Sequence, residues 1–125
     1  SATVFNLEKE NNFVAKIRKL AKDNKEIKIV DDQITNPTNS FYIAEATINI
    51  IEKIISKNQF TSEIYHLASQ KPISYYKFAQ KILADLEGVK IIPVLSSYFP
   101  TIAKRPLNGA LGVEKVLRDF NINIS

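Results

Sequence analysis

Cysteine is absent from this 125-residue chain, histidine occurs once, as His66, and glycine three times, as Gly88, Gly109 and Gly112. Without cysteine there is no disulfide framework, thiolate nucleophile, cysteine-based zinc site or iron–sulfur cluster. A histidine-centred triad would rest on His66 alone. Glycines at these three positions cannot form Gly-x-Gly-x-x-Gly, Gly-x-x-Gly-x-x-Gly or a Walker loop, the patterns that let a backbone approach phosphates at a strand-to-helix turn. No apolar run reaches the roughly 18 residues a membrane span requires. Ser1 to Phe5 has no basic n-region, so the chain is expected to be soluble, intracellular and cytoplasmic, with no membrane partner.

What the chain does have is 45% apolar residues against 24% charged, enough to bury a core and too apolar for intrinsic disorder. Its length suits one domain or a piece of a larger protein. The net charge is +4, from 17 basic and 13 acidic side chains, and it is unevenly placed. No acid lies between Gly88 and Val113, a stretch that holds Lys90, Lys104 and Arg105. An anionic ligand is expected near it. The charge alone is a thin argument for nucleic acid, because the other basic residues are interspersed with acids and no nucleic-acid-binding motif is present.

Along the chain, Phe13, Val14, Ile17, Leu20 and Ala21 form an amphipathic helical stripe that Asn11 or Asn12 can cap. Ile27 to Val30 reads as a strand ending at Asp31-Asp32, and Gln33 to Ser40 as a polar loop whose Pro37 keeps Asn36 out of the helical region. From Phe41 to Ser56 the isoleucines recur with helical period and cover more than one face, which predicts a largely buried central helix. Ile64 to Ala68 reads as a second strand. Ser74 then caps a third helix carrying Phe78, Ile82, Leu83 and Leu86, with Gly88 as its C′ residue. Val89 to Leu95 is a third strand, Ser96 to Leu111 an irregular segment, and Val113, Val116, Leu117 and Phe120 outline a last short helix. Alternating elements of this kind predict an α/β or α+β fold. Thr3-Val4-Phe5 looks like the end of a buried strand and Asn121 to Ile124 stops without a closing helix, so the chain is expected to be incomplete.

Reductive chemistry of the short-chain dehydrogenase type needs a lysine four positions after a tyrosine, on one helical face. The residues four beyond Tyr42, Tyr65, Tyr75, Tyr76 and Tyr98 are Ala46, Ser69, Ala79, Gln80 and Ile102. This chain alone is therefore expected neither to bind NAD(P) in the usual way nor to transfer hydride, and it carries no catalytic residue of its own. His66 is expected to be a half-buried strand residue with one ring nitrogen bonded to backbone. Asp31-Asp32 lacks the further oxygen ligands a hard cation requires, so no metal is assigned.

Four separated stretches, in order, resemble the C-terminal, sugar-nucleotide-binding part of the dTDP-4-dehydrorhamnose reductase family of extended short-chain dehydrogenases. Thr3-Val4-Phe5-Asn6 with Asn12-Phe13-Val14 resembles a strand ending in Val-Tyr/Phe-Gly and an Asn-Phe helix start. Asp32-Gln33-Ile34-Thr35-Asn36-Pro37-Thr38 resembles the Asp-Gln-x-Gly-x-Pro-Thr loop, Tyr65-His66-Leu67 the Tyr-His-Leu strand, and Ala103-Lys104-Arg105-Pro106-Leu107-Asn108 the Ala-x-Arg-Pro-x-Asn-Ser segment. The family's glycine in the first loop is Thr35 here, its serine after Asn108 is Gly109, and the acid of the following helix is displaced to Glu45 or lost. The resemblance implies a substrate-binding domain spanning 1–125, cut from a longer reductase whose N-terminal Rossmann domain would bind NADPH or NADH.

On this resemblance the substrate-binding candidates are Arg105, Asn12, Asn108, Gln33 and Thr38. Arg105 leads, because a guanidinium presents a planar fork to a diphosphate and cannot lose its charge, with Pro106 stiffening its approach. Asn12 is either a plain N-cap or a group that offers its amide and the helix terminus to the same diphosphate. Gln33 and Thr38 flank the substrate-facing loop, and Asn108 suits a ribose, sugar or backbone partner. The pairs Tyr75-Tyr76 and Tyr98-Phe99 either stack on a base or pack. The implied ligand is a dTDP-sugar. The rival readings are a reductase-like module kept for interaction or regulation, and the substrate domain of another nucleotide-sugar reductase or epimerase; an oligomer is compatible with each.

Overall fold

The computed structural model describes residues 3–60 and 62–125. Its elements, in chain order, are strand β1 (Val4–Phe5), helix α1 (Phe13–Asp23), strands β2 (Glu26–Val30), β3 (Ile34–Thr35) and β4 (Thr38–Asn39), helix α2 (Ser40–Lys57), strand β5 (Ile73–Ser74), helix α3 (Tyr75–Ile82), strand β6 (Lys90–Val94) and helix α4 (Glu114–Phe120). A 3-10 turn, Ser96–Tyr98, follows β6. The strands form three two-stranded ladders: β1–β4 and β2–β6, both parallel, and β3–β5, antiparallel. This is the mixed α/β architecture that the alternating pattern predicts.

The main ladder and two helices make the larger core. Ile27 and Ile29 alternate inward along β2 while Lys28 points to the other face. Against them pack Val14, Ile17 and Ala21 of α1 and Phe78, Ala79 and Ile82 of α3. Pro93 lies inside β6, which is compatible with a ladder only because β6 has a neighbour on one side, β2. Both helices start where their caps say they should. Asn12 Oδ1 accepts from the Ala15 N–H, and Ser74 Oγ from the Lys77 N–H. The smaller core joins Ala46 of α2 to Val116, Ile122 and Ile124, with Tyr65, Leu67 and Phe120 at its rim.

Five expectations need correction. Helix α2 forms over the expected span, yet Ala46 is its only buried residue, so it is not a largely buried core helix. Its two apolar faces differ: one meets the smaller core, and nothing among the described residues covers the other. Residues 64–68 form no strand, because no ladder partner runs beside them; pairing begins only at Ser69, which bridges Ile124. Helix α3 ends at Ile82, ahead of Leu86. Tighter bonds, Ala84 N–H to Lys81 O and Leu86 N–H to Leu83 O, turn the chain back toward β6. Gly88, with φ of +81°, therefore serves that return loop and not the helix cap. His66 is exposed and not half-buried, and its ring makes no hydrogen bond among the described residues. The polar loop 33–40 is more ordered than expected, since β3 and β4 each pair two of its residues.

Candidate functional site

A groove of about 950 Å³ opens where α1, the end of β2, the Gln33 loop and the segment after β6 converge. The 3-10 turn is anchored at its base: Ser96 N–H and Oγ–H donate to the two carboxylate oxygens of Asp32, each at 2.8 Å. Lys28 Nζ donates to Tyr98 Oη at 2.7 Å, and this bond raises the lysine pKa. On the far side, Ile34 N–H donates to Leu107 O and Gly109 N–H to Ile34 O, both at 2.8 Å. The chain between these two anchors runs exposed, with Ile102, Lys104 and Arg105 along the groove.

The charge lining this groove is of one sign. Lys16 from α1, Lys28 from β2, and Lys104 and Arg105 from the loop face it, and no carboxylate is among its lining residues. Arg105 makes no ion pair among the described residues. Aromatic surface lies beside the cations, from Phe13, Tyr75 and Phe99. Phe13 and Tyr75 meet edge to face at 5.1 Å, and Tyr98 meets Phe99 the same way at 4.9 Å. A groove with cations, aromatic faces and no competing acid suits a ligand that joins a flat ring to an anion.

The five candidates separate. Arg105 and Gln33 line this one groove. Asn12 instead lines a second groove along α1, with Glu8, Glu10 and Asp23, and its amide is used within the chain: Nδ2 donates to Asn6 O and Lys9 O while Oδ1 caps the helix. Thr38 is 1% exposed, and its hydroxyl donates to Asn36 O and accepts from the Ser69 N–H. Asn108 is exposed and folds its Oδ1 onto the Ala110 N–H. Next to it, a Cβ at Gly109, where the family has serine, would lie 3.3 Å from Ile34 O. Lys16 and Lys28 escaped the sequence reading because a lone lysine on an amphipathic helix or an alternating strand looks like an ordinary solvated residue. Asn36 escaped it too. Fully buried, it donates to Ser69 O and accepts from the Leu111 N–H, both at 2.7 Å.

The glycines do not make a dinucleotide cradle. A Cβ at Gly88 would meet nothing within 4 Å, Gly109 abuts Ile34 O, and the space beside Gly112 is taken by the Glu114 carboxylate at 2.8 Å. These three positions thus supply no glycine-rich turn of the dinucleotide-binding kind. Among the described residues, no group of three or more His, Asp or Glu side chains could hold a metal ion, and no helix is long and apolar enough to cross a membrane.

Parallel ladder, flanking helices and loops together define a mixed α/β domain with a groove lined by cations and aromatic side chains. The sequence profile of the RmlD substrate binding domain matches residues 1–125, and the chain belongs to that family. It is 37% identical over 122 residues to the dTDP-4-dehydrorhamnose reductase of Aggregatibacter actinomycetemcomitans, covering 92% of this chain and 42% of that protein. The reductase of Burkholderia thailandensis is 32% identical over 125 residues, with 90% and 42% covered. Among solved structures, a dTDP-4-dehydrorhamnose reductase from Clostridium acetobutylicum superposes with a TM-score of 0.82 at 27% identity, over 99% of this chain and 42% of that one. The Bacillus anthracis reductase, solved in complex with NADP, gives 0.78 at 27% identity, over 98% and 41%. The chain thus spans about two fifths of the length of the relatives it matches.

Proposed function

We propose that this chain is the sugar-nucleotide-binding portion of a dTDP-4-dehydrorhamnose reductase, holding the substrate while the keto sugar is reduced to dTDP-L-rhamnose for cell-surface polysaccharide. The observation that carries the reading is the groove with four cations and no carboxylate on its lining, in a chain of this family. Arg105 grips the diphosphate, with Lys16, Lys28 and Lys104 contributing longer-range attraction. Gln33 offers an amide to the sugar or base, and the aromatic surface of Phe13, Tyr75 and Phe99 takes the nucleobase. Thr38, Asn12 and Asn108 act through the backbone they hold: Thr38 fixes the Gln33 loop from behind, Asn12 sets the start of α1, and Asn108 shapes the turn after Arg105.

The chain's share of catalysis is positioning, which lowers the entropy cost of reaction. Hydride from NADPH or NADH belongs to the part of the reductase that this chain does not span. Such an enzyme acts on cytoplasmic nucleotide sugars. Calorimetric titration with dTDP and dTDP-rhamnose tests the reading. Saturable binding that weakens with Arg105→Ala is the expected result. No heat at millimolar ligand, or an affinity indifferent to Arg105→Ala, would overturn it.

A further inference from the structure

Three hydroxyl groups meet at Tyr75, one of the residues lining the cationic groove. Thr3 Oγ1 lies 2.7 Å from Thr35 Oγ1 and 2.8 Å from Tyr75 Oη. The three come from separate parts of the chain: Thr3 precedes β1, Thr35 ends β3 and Tyr75 opens α3. A hydroxyl carries one proton and two lone pairs, so Thr3 can serve both neighbours at once. Its backbone is strained where it does so. The Thr3 φ of +46° lies in the left-handed region, which a β-branched residue occupies at a cost, and such strained positions cluster at ligand sites. Glycine, the family's residue at position 35, has no side chain to meet Thr3, so the full bridge depends on the threonine found here.

Tyr75 is thereby fixed at three points. Its N–H donates to Gln33 O at 3.3 Å, its ring meets Phe13 edge to face at 5.1 Å, and its hydroxyl is held by Thr3. A ring ordered before the ligand arrives gives up little freedom on binding, which is how preorganisation gains affinity. We propose that Thr3 is a positioning residue for the groove: by bridging Thr35 and Tyr75 it holds the Tyr75 ring as a fixed platform for the ligand's nucleobase. The proposal rests on the reading of the groove as a nucleotide site, and adds to it a residue outside the groove's lining. Thr3 touches no ligand atom in this arrangement. Loss of the bridge frees the phenol ring, so the cost falls on holding the base and spares the diphosphate, which Arg105 grips.

Valine has the shape of threonine without the hydroxyl, so Thr3→Val removes the bridge alone. Tyr75→Phe removes the other end of the same bond and keeps the ring. Calorimetric titration of the 125-residue chain with dTDP, and with inorganic pyrophosphate as the ringless anion measured by its displacement of dTDP, reads the effect. Each variant is expected to weaken dTDP about 3- to 10-fold, the equivalent of ordering one side chain anew, and to leave pyrophosphate within about twofold. Thr3→Ser, which keeps the hydroxyl, is expected to retain the dTDP affinity. Equal weakening of both ligands, a serine variant no better than the valine one, or dTDP binding indifferent to both substitutions overturns the inference. So does a failure of both variants to fold, which would make the bridge a support of the fold; if one alone fails to fold, the other decides. An unmodified chain that binds no dTDP overturns the groove reading and this inference together, whereas binding weakened by Arg105→Ala and unmoved by Thr3→Val overturns the inference alone.

Discussion

Two residues on the groove side carry opposite kinds of weight, one chemical and one architectural. Arg105 is exposed and unpaired among the described residues, so its removal takes away ligand attraction without disturbing packing. Arg105→Ala is expected to weaken dTDP binding about 10- to 100-fold, the range for charge-assisted hydrogen bonds, with an unchanged Tm; Arg105→Lys should recover only part, since an ammonium lacks the planar fork. Isothermal titration and thermal melting together check both halves. Asn36 is the reverse. Its amide ties the Gln33 loop to Ser69 and Leu111, and Asn36→Ala leaves a buried carbonyl and an N–H without partners. A loss of about 2–3 kcal/mol in urea unfolding is expected. The difference in legibility is physical. An arginine before proline in an acid-free stretch advertises itself locally, whereas Asn36 gains its role from residues far along the chain and looks like any turn asparagine until they arrive.

Among the elements, those whose signals are local could be read from sequence. Helix α1 and α3's start follow from caps and apolar period, α4 from apolar period alone, and β2 and β6 from β-branched runs. The elements misjudged are those whose state depends on what lies beside them: α2, apolar on two faces of which one is covered, and residues 64–68, which lack a strand partner. Side chains moor that second segment to α4. Tyr65 Oη donates to Asp119 Oδ2 at 2.7 Å, Arg118 Nε donates to Asp119 Oδ1 at 2.8 Å, and Lys115 Nζ reaches both Glu63 and Ile64 O. Bonds from Arg118 and then Tyr65 hold the Asp119 carboxyl at about 2, against an ordinary 3.8, and the bond to Asp119 pushes the Tyr65 phenol up to about 12. A depressed carboxyl stabilises the fold above its unfolded pKa and loses that contribution as pH falls through the folded value. Asp119→Asn should therefore lower Tm slightly at pH 7, and the gap to the unmodified chain should close between about pH 4 and pH 2. Because Tyr65 is shifted upward, its contribution is present below pH 10 and fades as pH rises toward 12. Melting curves across both ranges check the signs. Since this network is exposed, the effects are small.

For the molecule as a whole, the distribution of charge matters more than its sum. A net charge of +4 is modest, but the folded chain gathers Lys16, Lys28, Lys104 and Arg105 from three separate stretches onto one groove without an acid. Binding of dTDP should accordingly weaken several-fold as ionic strength rises from about 0.05 to 0.5 M, as screening shortens the reach of the field. Thymidine, which lacks the phosphates, should show little such dependence, and titrations at the two salt concentrations distinguish them. The ladder that supports this groove has a kinetic consequence. Glu26 pairs with Lys90 and Val30 with Val94, so β2 cannot find its partner until α2 and α3 have both been synthesised and brought round. Non-local parallel pairing of this kind closes a long loop before it is rewarded and is slow. On an emerging polypeptide the cationic groove is thus among the last features to assemble, and Ile27 and Ile29 have only α1 beside them until α3 and β6 arrive, an interval in which a chaperone or a neighbouring nascent chain can reach them.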